Sequence, residues 1–334
     1  MDNLKKLLIN DSVSGYEYMG TDETAALFEK TGAEVFCDKL SNIYAVKNKG
    51  KAFKVIVDAH FDTIGLIITK IHEGGFLSFA PLGGVDVRIL PSMVVDVIGK
   101  ERITGVIGVK PPHLLKGTEK KAYKLEELFI DTGLTKDELS DKISCGDIAV
   151  FKSEYTELLN GRISSAGLDD KIGIFMVAEI LKGFKNPDVT IVGAATTGEE
   201  IGLKGARVMA NSDEFDLAIV IDVTHGRTPD GIKNRSFPLG DGPVITLGPS
   251  LSKVYNDKII SYAEKNNIKL GIEVEPGNTG TNAWAYHSSK ESVPSVMISI
   301  PLRYMHTAYE VCDKSDIMAG IKLITDFLNS KEVL

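Results

Sequence analysis

The chain has 334 residues, of which 43% are hydrophobic and 25% are charged, and its formal net charge at pH 7 is −8. This length suggests two domains, since a domain takes about 150 residues as a rule of thumb, and the acidic balance argues against nucleic acid or an anionic membrane as the main partner. Three scattered cysteines without C-x-x-C spacing exclude a cysteine-rich zinc motif. With no signal-like N-terminus and no apolar run of membrane-spanning length, we expect a cytoplasmic protein.

The first clear element is the apolar run FKVIVD at 53–58, which predicts a buried strand ending at the sequence AHFD. From about residue 69 to 162 the chain shows short β-like pieces separated by glycine and proline, with one helix-like stretch, KLEELFI, at 124–130. This pattern predicts a small β-barrel or β-sandwich. Because it lies between two candidate sites, AHFD and GLDD, we interpret 69–162 as a β-rich domain inserted into a discontinuous α/β domain, residues 1–68 and 163–334.

The second half of the chain alternates between apolar runs and amphipathic stretches. The apolar runs predict buried strands over 189–196, 216–223 and 293–300. The amphipathic stretches predict helices over 169–183, 252–267 and 315–330. Continuous apolar strands alternating with amphipathic helices are typical of an α/β fold in which helices cover both faces of a sheet.

Histidines and carboxylates gather where the predicted strands end. They are His60 and Asp62 after the first strand, Asp169 and Asp170 at the end of the insertion, Glu199 and Glu200 after the second strand, Asp222 in the third, and His306 after the fourth. Ligands of open α/β sheets bind beyond the carboxyl ends of the strands, so we expect one site here. Imidazole and carboxylate ligands suit zinc, cobalt or manganese, and one carboxylate can bridge two ions about 3.5–4 Å apart.

Each motif also has an ordinary structural interpretation. Adjacent glutamates after a strand can be charges that suit a helix N-terminus, and an aspartate pair can cap a helix. Neighbouring residues point in different directions on a strand or helix, so Glu199 and Glu200 would have separate roles if both act. His60 and Asp62 share a face of an extended chain, which would let the aspartate orient the imidazole. The remaining histidines, which are His72, His113, His225 and His287, we interpret as structural or surface residues.

Five motifs in chain order resemble the tetrahedral (TET-type) two-metal aminopeptidase family. They are AHFDTIG, GLDDKIG, TTGEEIGLKGA, VIDVT and PLRYMHTAYE. Members are described as glutamyl, leucyl or deblocking aminopeptidases, and some are labelled endoglucanase. The resemblance covers nearly the whole chain. It implies a zinc-exopeptidase-like mixed sheet sandwiched by helices, with an inserted β-barrel that mediates dimerisation, and dimers that assemble into tetrahedral dodecamers.

The resemblance also implies a role for each site residue. Two divalent ions per subunit, zinc or cobalt with manganese as an option, would be held by His60 and Asp222 on one side, by Glu200 and His306 on the other, and by Asp169 between them. Glu199 would be the general base that activates water, and Asp62 would orient His60. The Asp169–Asp170 peptide bond would be cis.

The implied function is removal of N-terminal residues from peptides. A two-metal deacylase, a carboxypeptidase-type amidohydrolase and a glycan hydrolase remain as alternatives, although glycosidases need two carboxylates free of metal. Two positions depart from the family pattern, because Thr63 stands where glutamate is usual and Asn282 where aspartate is usual. Neither is an expected ligand, and both are positions where the pocket for the first substrate residue could differ.

Overall fold

A large mixed sheet forms the centre of the fold. The computed structural model describes residues 1–111, 123–231, 235–290 and 292–334. In these residues the sheet has eight strands, which we number along the chain. Across the sheet they are β1 (Glu34–Cys37), β2 (Ile43–Lys47), β12 (Val189–Thr196), β3 (Phe53–His60), β13 (Leu217–His225), β16 (Ser295–Leu302), β14 (Val244–Leu247) and β15 (Gly271–Val274).

The middle strands of this sheet run in the same direction. Strand β3 pairs in parallel with both β12 and β13, and β13 pairs in parallel with β16. His60 is directly opposite Thr196, and Asp222 is opposite Ser299. The carboxyl ends of four strands therefore meet at one edge of the sheet, where the predicted site residues begin.

Helices cover both faces of the sheet, as predicted. One face carries α1 (Asp2–Ile9), α2 (Thr21–Glu29), α4 (Leu168–Gly183), α6 (Lys253–Lys265) and α8 (Lys314–Asn329). The other carries α5 (Lys204–Ser212) and α7 (Asn282–His287). Strand β3 shows why both faces are buried. Val55 and Val57 belong to the hydrophobic core under α4 and α8, whereas Ile56 belongs to the core under α5 and α7. Alternate side chains of a strand point to opposite faces, so each face needs its own cover.

The β-rich segment closes into a barrel. Its strands, in order around the barrel, are β4 (Gly65–Ile71), β5 (Leu77–Leu82), β8 (Phe129–Asp131), β7 (Arg102–Gly108), β6 (Val94–Ile98) and β9 (Ile148–Phe151). A short helix, α3 (Lys136–Ser140), precedes β9. The barrel has its own hydrophobic core. A three-stranded sheet of β10 (Thr156–Glu157), β11 (Arg162–Ser165) and β17 (Glu310–Asp313) follows. The exact limits of the inserted domain stay a prediction.

The stretch KLEELFI was expected to be helical, and this expectation was wrong. Only Leu125–Glu127 forms a 3₁₀ turn, and β8 begins two residues later. Ile130 pairs with Ile107 of β7 and is fully buried in the barrel core. Closure of the barrel thus overrides the local helical preference. Among the described residues, every helix is too short or too polar to cross a membrane.

One buried amide connects the sheet to the loop that follows β12. The side-chain oxygen of Asn42 accepts hydrogen bonds from the backbone N–H of Thr197, at 3.0 Å, and from its hydroxyl, at 3.1 Å. The side-chain amide of Asn42 donates to Asp38 at 2.8 Å. These bonds fix the chain two residues before the glutamate pair.

We expect Asn42→Ala to lower the free energy of unfolding by about 1–3 kcal/mol, because a buried N–H loses its acceptor. Chemical denaturation of the purified protein measures this change. The matched control is Asn266→Ala, since Asn266 is exposed and, among the described residues, its side chain bonds only to the carbonyl of Tyr262. Equal stability of Asn42→Ala and the wild type would contradict the structural role.

Candidate active site

The predicted ligands meet at the carboxyl edge of the sheet. Asp169, at the start of α4, lies between two histidines: its Oδ1 is 3.2 Å from His60 Nε2 and its Oδ2 is 3.3 Å from His306 Nε2. Asp222 Oδ1 is 4.0 Å from His60 Nε2, and Glu200 Oε1 is 3.0 Å from His306 Nε2. The two oxygens of one carboxylate thus face two different imidazoles, each of which has a second carboxylate beside it.

These side chains form sets that could hold metal ions. The nitrogen and oxygen ligand atoms within each set lie within 4.8 Å of one another. The sets are His60 with Asp169 and Asp222, Asp169 with Glu200 and His306, and His60 with Glu199 and Glu200. Asp169 belongs to the first two sets, which is the position that a bridging ligand requires.

The loop carrying the two glutamates is held by buried acids from elsewhere in the chain. The carboxylate of Asp62 accepts the backbone N–H of Glu199 at 3.0 Å and that of Glu200 at 3.3 Å. Ser14 donates its hydroxyl to the same carboxylate at 2.7 Å. The buried Glu17 accepts the N–H of Gly198 at 2.8 Å. These hydrogen bonds to backbone N–H groups therefore fix the main chain from which the two glutamate side chains extend.

Asp62 contacts His60 mainly through its main chain. His60 Nδ1 lies 3.0 Å from the backbone oxygen of Asp62 and 3.5 Å from its carboxylate Oδ1. The carboxylate is shared with the two N–H groups of the glutamate loop. The expected orienting role of Asp62 stays a prediction, and the geometry adds a second task, which is to anchor the loop.

Another buried carboxylate, Glu310, has the same role for the segments that carry His306 and Asp169: it accepts their backbone N–H groups. It accepts the N–H of His306 at 2.9 Å and the N–H of Asp169 at 3.2 Å. The barrel contributes too, since His306 Nδ1 lies 3.1 Å from the backbone oxygen of Gly84. A Cβ at Gly84 would come within 2.7 Å of the His306 ring, so this approach requires glycine.

The aspartate pair divides between the site and the helix. Asp169 faces the histidines, whereas Asp170 accepts the backbone N–H of Gly173 at 3.0 Å in the first turn of α4. The peptide bond between the two aspartates is cis, as the resemblance implies. The capping interpretation therefore fits Asp170 and the site interpretation fits Asp169.

The electrostatics show a surplus of negative charge. Burial raises the pKa of Glu199 to about 9 and that of Asp222 to about 7; the charge of His60 opposes both shifts, and neighbouring carboxylates reinforce them. Burial would also raise the pKa of Asp169, but hydrogen bonds from His306 and His60 hold it below its usual range. Hydrogen bonds to Asp169 and Glu200 raise the pKa of His306 to about 11. A site of this kind favours bound cations.

Three comparisons with known proteins bear on this site. The sequence profile described as M42 glutamyl aminopeptidase matches residues 41–323. A lysyl aminopeptidase from Pyrococcus furiosus is 34% identical over 327 residues, which are 96% of this chain and 94% of that protein. The structure of an aminopeptidase from the archaeon Desulfurococcus kamchatkensis superposes with a TM-score of 0.92 at 34% identity, covering 98% of this chain and 94% of the other.

A further similar structure is that of a TET1 peptidase from Pyrococcus horikoshii, with a TM-score of 0.88, 32% identity and 99% coverage of both chains. That peptidase can assemble into a tetrahedron or a large octahedral shell.

The chain belongs to the M42 peptidase family. The resemblance found in the five motifs is thereby confirmed, and so is the predicted enzyme class, a hydrolase that acts on peptides. M42 membership supports hydrolysis at the peptide N-terminus and implies divalent metal ions, and it favours the peptidase over the glycan hydrolase alternative.

A cavity of about 650 Å³ opens at the predicted metal ligands of this M42 peptidase. Several residues in its wall were not recognised from the sequence, among them Thr224, Thr246, Glu273 and Met297, and His225 also lines it. Thr63 lines a smaller neighbouring pocket of about 70 Å³. Asn282 is buried and donates to Thr196 at 2.7 Å. Neither departure from the family pattern is among the residues that line the large cavity. His113 lies outside the described residues.

The anchoring role of Asp62 gives a prediction for this M42 peptidase. Asp62→Asn should lower peptide hydrolysis or metal affinity about 10–100-fold, because the amide offers only one acceptor oxygen to two backbone N–H donors. Steady-state assays and metal analysis measure the two quantities. Ser14→Ala is the matched control, since it removes one donor and leaves both loop N–H bonds, and it should lose less. Full activity with full metal content in Asp62→Asn would refute the anchoring role.

Proposed function

We propose that this protein is a co-catalytic two-metal aminopeptidase that removes residues from the N-terminus of peptides. The observation that carries the proposal is the position of Asp169, whose two oxygens face His60 and His306 at 3.2 and 3.3 Å. Asp222 completes one side and Glu200 the other. One ion would be held by His60, Asp222 and Asp169, and a second by Glu200, His306 and Asp169.

The side chains of the proposed ligands fit divalent transition metals. Imidazole nitrogen with carboxylate oxygen suits zinc or cobalt, with manganese as a further option. The surplus of buried negative charge supports the same assignment, because divalent cations would replace the positive charge that the two histidines otherwise supply. Two ions in such a site lower the pKa of water and polarise a carbonyl group.

Glu199 is the general base in this proposal. Its backbone N–H is fixed by Asp62, and its carboxylate belongs to the set with His60 and Glu200. Burial raises its pKa to about 9 without cations, and nearby cations would lower that pKa into the range of a base. Glu199 accepts the proton of the attacking water and donates it to the leaving amine. Glu200, its neighbour, faces His306 and is assigned to metal binding.

We also propose a homo-oligomer built from dimers, with residues 69–162 as the dimerisation domain and a tetrahedral dodecamer as the assembly. The support is that the Pyrococcus horikoshii relative can assemble into a tetrahedron, and that the barrel has its own hydrophobic core. Such a cage would admit peptides and exclude folded proteins. Location in the cytoplasm stays a prediction. The names of the family and of the Pyrococcus furiosus relative refer to glutamyl and lysyl residues, which have opposite charges, so membership alone leaves the first substrate residue open.

Glu199→Gln should bind metals normally and lose on the order of 10²-fold or more in kcat for aminoacyl-p-nitroanilides, because glutamine cannot accept the proton. Metal content measured by elemental analysis separates this loss from loss of the ions. Glu264→Gln, at an exposed position of α6, is the matched control and should retain wild-type rates. Wild-type turnover by Glu199→Gln would remove Glu199 as the base.

His306→Ala should lose one of the two proposed ions, because it removes the only nitrogen ligand on that side of Asp169 within the described set. Elemental analysis after dialysis gives the metal content per subunit. The control is His72→Ala, since His72 lies in the barrel and contacts Ser78. Unchanged metal content in His306→Ala would exclude His306 as a ligand.

A further inference from the structure

Two acids that the proposed chemistry does not use, Glu273 and Glu275, line the cavity beside the site, and Glu273 is the one that accepts hydrogen bonds from threonine hydroxyls. Glu273, on the edge strand β15, lines the cavity together with the proposed ligands. Both oxygens of its carboxylate accept hydrogen bonds: Thr224 donates its hydroxyl to Oε1 at 3.0 Å, and Thr246 donates its hydroxyl to Oε2 at 3.2 Å. These two hydrogen bonds fix the position of the half-buried carboxylate in the wall of the cavity.

Glu273 is bound to a residue that lies beyond a proposed ligand on the same strand. Thr224 lies two residues beyond Asp222 on β13, which separates their Cα atoms by about 7 Å along the strand. The α-amino group of a substrate is attached next to the scissile carbonyl and must remain close to the ligands. The end of a lysine or arginine side chain, by contrast, is carried away from that carbonyl by a flexible stem.

The wall of the cavity provides surface for such a stem. Val223, Leu203 and Met297 line the cavity and are otherwise buried. Apolar side chains at this place can cover the methylene groups of a basic residue while its charged end reaches a polar partner.

Among the described residues, Glu273 has no cationic partner. In the part of the chain that the structure describes, its side chain has hydroxyl donors and forms no ion pair with lysine or arginine. Arg207 and Arg235 also line the cavity, but both are exposed, and exposed charges are weakened by water and salt. The charge of the half-buried, fixed carboxylate is therefore weakened less by water and salt than the charge of either arginine.

We propose that Glu273 selects the first residue of the substrate by binding the cationic end of a lysine or arginine side chain. This inference rests on the proposed function for the position of the scissile bond. The substrate class is then peptides with a basic N-terminal residue, and Thr224 and Thr246 are positioning residues that hold the carboxylate.

Binding of free amino acids tests the pocket without requiring hydrolysis. We expect calorimetric titration of the metal-loaded protein to give tighter binding of L-lysine than of L-norleucine, which has the same stem without the ammonium group. Glu273→Gln should weaken the binding of lysine about 10- to 100-fold and leave the affinity for norleucine unchanged. Equal affinities in the wild type would overturn the proposal, and an equal loss for both ligands in Glu273→Gln would assign Glu273 to the α-amino group instead.

Kinetics provide the second measurement. In an aminoacyl-p-nitroanilide panel, Glu273→Gln should lower kcat/KM for the lysyl and arginyl substrates relative to the leucyl substrate by about tenfold or more. Glu275→Gln is the matched control, since Glu275 lines the same cavity without the threonine contacts, and it should keep the wild-type preference. A wild-type preference for the glutamyl substrate would overturn the proposal. If no substrate is hydrolysed, the proposed function fails while the binding measurement still decides the role of Glu273.

Discussion

Repulsion between buried carboxylates is the constraint on which this site depends. Asp169, Glu199, Glu200 and Asp222 converge at the carboxyl edge of the sheet, where the two aspartates are buried and the two glutamates are partly buried. Burial raises the pKa of Glu199 and Asp222, and their neighbours raise it further. Positive charge must therefore be present, either as protons or as metal ions. Metal binding and protonation are linked, because the groups that would release protons are the proposed ligand Asp222 and the proposed base Glu199.

A second set of acids makes this arrangement possible by holding backbone N–H groups. Asp62 and Glu17 hold the loop of the two glutamates, and Glu310 holds the segments of Asp169 and His306. These bonds fix the two loops before any substrate binds, which is the condition for a preorganised site. The N-terminal residues around Ser14 belong to this support although they are distant in sequence from the loop.

Sequence patterns predicted the regular core of the fold well and its irregular parts poorly. Strand β12 has the predicted limits, 189–196, because eight consecutive residues are buried on both faces of the sheet. The short strands β14 and β15 were not predicted, since four residues carry too little periodicity. The stretch at 124–130 was mistaken for a helix because its burial in the barrel depends on distant strands.

The same limit applies to the site. Motifs at strand ends identified side chains that the structure brings together, because parallel strands place their carboxyl ends at one edge. Glu310 was missed although it lies in a recognised motif, since nothing in the local pattern shows that its carboxylate turns back to two backbone N–H groups. Glu273 stands in no motif, and only the folded sheet brings it to the cavity.

The position of Glu273 separates selectivity from chemistry. Apart from Asp169 at the start of α4, the proposed ligands lie on or directly after β3, β12, β13 and β16, which are interior strands buried on both faces, and a substitution there would disturb the core. In the described part of the chain, strand β15 is at the edge of the sheet and pairs only with β14, and its residues alternate between exposed and half-buried. A change of charge at residue 273 would alter the cavity at little cost to the fold. Proteins with the same ligands can therefore differ in the first residue they accept, and the ligand motifs carry no information about that residue.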